Sequence, residues 1–134
     1  IKPYSTETEQ AFLENLNHAL DNVLNTNQKC IVQKEVSIAH VFQDNSSYND
    51  LFYTGRFDFV VYERQGRTKV DIPILAIELD GREHQENAVV MEHDRKKNEI
   101  CREHGFELIR IENTYARRYQ FMKEILMKYF ASVK

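Results

Sequence analysis

Cysteine is scarce in this chain, and the two present, Cys30 and Cys101, have neither the spacing of a metal site nor a secretory signal that would suggest a disulfide framework. They are expected as small core thiols of a protein kept in a reducing, cytoplasmic compartment. No apolar run approaches the roughly 18–20 residues needed to span a bilayer, which argues against a membrane-embedded chain. An excess of positive charge is missing too. Lys and Arg number 18 against 21 Asp and Glu, a formal charge of −3, whereas free-standing nucleic-acid binders usually carry a net basic footprint. A local patch is still compatible with this balance, because Arg95, Lys96, Lys97, Arg102, Arg110, Arg117, Arg118, Lys123 and Lys128 gather in the C-terminal half, interspersed with acids. Linker-like composition, internal repeats and low-complexity stretches are absent. The 134 residues therefore read as one domain, 1–134, with a real core. The chain opens on Ile1 rather than methionine, which suggests a domain cut from a longer protein.

Apolar periodicity predicts an amphipathic helix over about 6–24, carrying Phe12, Leu16, Leu20 and Val23 on its stripe with Ser5 or Thr6 as cap. Glu9 lies on that stripe, either as a buried acid in need of a partner or as a first-turn acid facing the helix dipole. A first strand is predicted over 30–38, followed by a polar loop around 43–49. The two strongest strands, 57–63 and 74–79, are separated by a turn containing Gly66 and should form a hairpin. The second of them is apolar on both faces, which predicts a central position. A helix over about 90–104 ends at Gly105, a fourth strand runs over 106–111, and a last helix spans about 115–131. The order αβββαβα implies an α/β fold with helices on both sides of a mixed sheet.

The chemistry concentrates in residues 73–84, PILAIELDGREH. Strand alternation puts Ile74, Ala76, Glu78 and Asp80 on one face, with Leu75, Ile77 and Leu79 on the other. In the preceding strand, Asp58, Val60 and Tyr62 should oppose Phe57, Phe59 and Val61. If the hairpin pairs these strands, Asp58, Glu78 and Asp80 gather on one face. Two unit charges about 4 Å apart repel by roughly 4 kcal/mol at an effective dielectric near 20, so the trio needs compensation. Mg²⁺ or Mn²⁺ would supply it, bound by Asp58, Glu78 and Asp80 together with water and substrate phosphate, and could activate the attacking water. Gly81 allows a sharp turn out of the sheet, after which His84 is placed either to serve as an acid or base or to be an ordinary surface residue. Lys97 on the following helix either neutralises phosphate charge and positions water, or pairs with Asp94 or Glu78 in a purely structural role. Arg110 offers the same choice between a phosphate contact and a salt bridge.

Taken together, Glu9, Gln33, Asp58, Glu78-Leu79-Asp80-Gly81 with His84, Asp94 and Lys97, Gly105 and Arg110 resemble the very-short-patch-repair-like branch of the PD-(D/E)XK nuclease superfamily and a related bacterial domain family of unassigned function. The resemblance covers nearly the whole chain. It implies a three-layer α/β/α restriction-endonuclease-like fold and Mg²⁺-dependent hydrolysis of DNA phosphodiesters. Asp58 and Glu78 would be metal ligands, Glu9 a supporting acid, and Gln33, Lys97 and Arg110 nucleic-acid contacts. It further implies a module of a larger bacterial DNA-processing protein of helicase or repair type, partnered by that protein's other domains. One departure stands out: the superfamily's lysine two residues after the second acid is replaced by Asp80, so Lys97 or His84 must take its place. The competing expectation is a catalytically silent nucleic-acid-binding or docking domain of the same fold.

Overall fold

The computed structural model describes residues 2–43, 49–81 and 87–133. Helix α1 (Thr6–Val23) starts at Ser5, whose Oγ accepts from the Thr8 N–H at 3.1 Å and so satisfies one of the unpaired first-turn donors. Strand β1 (Cys30–Ser37) runs into a single helical turn, α2 (Ile38–Val41). A second such turn, α3 (Leu51–Thr54), precedes β2 (Arg56–Gln65). Strand β3 (Val70–Asp80) returns antiparallel to β2 through a 3₁₀ turn, Gly66–Thr68, and left-handed Lys69 at φ 54°. Then follow α4 (Ala88–Glu103), β4 (Glu107–Glu112) and α5 (Tyr119–Ser132). Gly105, at φ 60°, takes the left-handed position expected after α4.

The sheet order is β1-β2-β3-β4. The first two pairings are antiparallel and β3–β4 is parallel, with α4 in the connection. The expected hairpin and the central place of β3 are both found, in a mixed sheet with helices. Two buried clusters hold it. One joins Phe12, Leu16 and Leu20 of α1 with Phe59, Val61, Leu75, Ile77 and Leu79, and with Met122 and Leu126 of α5. The other joins Val60 and Ala76 with Ile100 and Cys101 of α4 and with Ile38, Leu51 and Phe52. Leu51 and Phe52 lie just past a stretch read as polar loop; their burial is what makes α3 a fixed part of the second cluster. Among the described residues no helix is long and apolar enough to cross a membrane.

Two irregularities correct the expected alternation. Phe57 belongs to the second cluster with Val60, whereas Phe59 and Val61 belong to the first. The β1–β2 register pairs Lys34 with Phe59 and Val36 with Phe57 but skips the rung between them, where Glu35 has φ 53°. A left-handed residue in one strand re-aims its neighbours and the strand opposite. In β3, Ile74 is the extra residue at the register shift beside Val61 and Tyr62, and it packs against the first cluster rather than sharing Ala76's side.

Candidate functional site

Asp58 lies near the start of β2 and Glu78 near the end of β3, on neighbouring strands. Beyond the Phe59–Ile77 rung, the two acids tie the strands together with their side chains. Glu78 Oε2 accepts from the Asp58 N–H at 2.7 Å, and Asp58 Oδ2 accepts from the Leu79 N–H at 2.9 Å. Each carboxylate is thus fixed by the other's strand. Glu78 is 2% exposed, and its Oε1 is met by Lys97 Nζ from α4 at 2.5 Å. Burial, and then the Glu78 charge, push the Asp58 carboxyl up to about 6. Lys97 and Lys2 both act against that rise.

Glu9, in the first turn of α1, reaches the same end of the sheet. Lys2 donates to it at 2.6 Å and Lys34 at 3.4 Å, and the Lys2 hydrogen bond leads in holding its carboxyl below the usual range. Lys2 also pairs with Glu35, tying the N-terminal segment to the irregular rung of β1. The glycine at 81 serves close approach: a Cβ there would stand 2.3 Å from Pro3 Cβ and 3.1 Å from Asn113 Nδ2. Between Pro3 and the helix cap sits Tyr4, whose hydroxyl is buried and makes no hydrogen bond of proper length and angle. Asp58, Glu9 and Glu78 all act on it electrostatically, and Asp58 also through a partial hydrogen bond.

Sequence reasoning missed Lys2 and Tyr4. One signal was available, since the residue before a helix cap packs near the fifth residue after it, here placing Tyr4 beside Glu9.

Asp80, the third acid of the expected trio, meets Arg110. Asp80 Oδ2 is 3.5 Å from Arg110 Nη1, and the same Nη1 is 3.2 Å from Asp94. Arg110 further donates to the Asp94 carbonyl at 3.1 Å and to Asn98 Oδ1 at 3.0 Å. Arg110 thus holds α4 against β3, the salt-bridge alternative. The parallel register explains it by setting Arg110 opposite Glu78, one step from Asp80. Among the described residues, no three His, Cys, Asp or Glu side chains form a group that could hold a metal. Gln33 is exposed on β1 and lines a different cavity of about 550 Å³ with Tyr62, His40 and Asp71. His84 lies outside the described residues.

Beside Glu78 a cleft of about 360 Å³ opens between α3 and α4, lined by Arg56, His93, Lys96, Lys97 and the acids Asp50 and Asp94. Lys96 pairs with Asp50 at 2.9 Å, an acid that is 84% exposed and so a weak restraint. Arg56 donates to the Glu35 carbonyl at 3.1 Å.

Over residues 1–129 the chain matches the family described as protein of unknown function, DUF2726. It belongs to that family. No curated protein and no solved structure matches it.

Proposed function

We propose that this domain is a metal-dependent DNA endonuclease of the three-layer restriction-endonuclease-like kind, a module of a larger bacterial DNA-processing protein acting in the cytoplasm. The observation that carries this reading is the interlocked pair Asp58 and Glu78 with Lys97 against it at 2.5 Å. The donor set fits Mg²⁺ or Mn²⁺, because Mg²⁺ needs only one or two carboxylates when water and phosphate complete its shell. When bound, such an ion would polarise the scissile phosphate and lower the pKa of the attacking water.

The chain's own groups do the remainder. Asp58 and Glu78 would hold the ion, each pre-oriented by a backbone N–H. Lys97 takes the role of the superfamily's missing lysine: it is the cation nearest Glu78 and can turn to a phosphate oxygen once Glu78 is engaged elsewhere. Arg110 and Asp80 keep α4, and so Lys97, in register. Glu9 keeps Lys2 at the rim.

Cleavage of plasmid and branched DNA is expected with Mg²⁺ or Mn²⁺ and is expected to stop with chelator. Asp58→Ala should lose about 100-fold or more of the rate, as removal of a metal ligand forfeits several kcal/mol of transition-state stabilisation. Activity that survives this substitution refutes the site.

The second reading, a silent nucleic-acid-binding domain, draws on the same lysine: a Glu78 already neutralised by Lys97 needs no ion. In either reading the cleft beside Glu78 is the route for a DNA backbone. Replacing both Arg56 and Lys96 by alanine is expected to weaken duplex binding for all sequences alike. The slope of log K against log salt should fall by about one for each phosphate no longer neutralised, as read by fluorescence anisotropy across a salt series. An unchanged slope removes this cleft from the interface.

A further inference from the structure

We propose that the Tyr4 hydroxyl is a further ligand contact of the carboxylate site, donating to an oxygen held beside Asp58, either of the phosphodiester or of the attacking water; this rests on the nuclease reading above. The hydroxyl is shut off from solvent yet finds no partner of hydrogen-bond geometry, and a buried polar group left unmade is destabilising enough that native proteins rarely keep one without use. Phenylalanine would fill the same space without that burden.

The position of the ring is set on several sides. Ser5, next in the chain, caps α1. Pro3, just before, is packed against Gly81 so closely that no Cβ fits there. Lys2 Nζ stands 5.6 Å from the ring centroid. The hydroxyl is thereby held among Asp58, Glu9 and Glu78. A donor beside carboxylates that does not bond properly to them is satisfied by one ligand oxygen lying between.

The test is Tyr4→Phe, which deletes only the oxygen. Wild type and variant are compared in kcat and KM for Mg²⁺-dependent cleavage of an oligonucleotide duplex, in affinity for that duplex in Ca²⁺, and in metal-free melting temperature. A loss of about 10–100-fold in kcat/KM is expected, the worth of one bond to a charged group, with melting unchanged or slightly raised. A fall in kcat at unchanged affinity assigns the bond to the water, and a fall in affinity assigns it to a phosphate oxygen. Kinetics and affinity both within twofold of wild type overturn the proposal, as does a marked drop in melting temperature, which would make the hydroxyl structural. Should wild type bind the duplex without cleaving it, the nuclease reading falls while Tyr4 is judged on affinity alone. Absence of any binding by wild type overturns both.

Discussion

Glu78→Ala is expected to destabilise the fold by about 3 kcal/mol, within the range for stripping one member from a buried pair and a large share of the roughly 5–15 kcal/mol that holds a typical domain. Two effects combine. Lys97, whose side chain is 15% exposed, is left as a buried cation without its partner at 2.5 Å, and the Asp58 N–H is deprived of its acceptor at 2.7 Å. Relief of repulsion between the two carboxylates works the other way. At equal effective dielectric, Coulomb energy falls with distance, and Lys97 meets Glu78 directly, so the attraction removed should exceed the repulsion relieved. Adding Lys97→Met to Glu78→Ala should restore part of the stability, since an apolar side chain of similar volume needs no counter-charge. Urea unfolding of the four proteins of this cycle measures the coupling. A Glu78→Ala protein as stable as wild type would mean that the pair stores strain instead of holding the strands.

Asp58→Asn should have a pH-dependent effect of the opposite sign. The asparagine Oδ1 can still accept from the Leu79 N–H, so the change removes charge more than structure. The Asp58 carboxyl is raised from 3.8 to about 6 in the fold. Between these values the native state keeps a proton that the unfolded chain has released, so this group's contribution to stability falls as pH rises through that window and is lowest above it. A rise of that size corresponds to at most roughly 3 kcal/mol. The asparagine variant is therefore expected to melt several degrees higher than wild type at pH 7.5 and to match it near pH 4. Millimolar Mg²⁺ should close the gap by stabilising wild type alone, through preferential binding to the native state. Parallel melting curves across pH for the two proteins would show that Asp58 does not carry the charge penalty.

Most of the scaffold was legible because its signals are local and repeated. The stripe of α1, the doubly apolar run of β3 and the Gly105 stop each declare one element, and Asp58 and Glu78 stand out as acids inside apolar strands. What escaped depends on contacts distant in sequence. Glu35 continues a strand-like pattern, and nothing in that pattern announces φ 53°. Asp80 looks equivalent to Glu78 until the parallel register of β4 delivers Arg110 to it. Leu51 and Phe52 sit beside a polar stretch and reveal their burial only against Ile100 and Cys101. Lys2 and Tyr4 precede the first helix, where no periodicity exists to place them.

The twist imposed by Glu35 has a bearing on how copies of this chain meet. β1 stands at the margin of the sheet, where a straight strand would present a row of unused amides and carbonyls to any similar strand in solution. A left-handed kink beside exposed Lys34 breaks that row in the middle and puts charge upon it. Self-association into extended ribbons is thereby discouraged, by the same residue whose side chain pairs with Lys2.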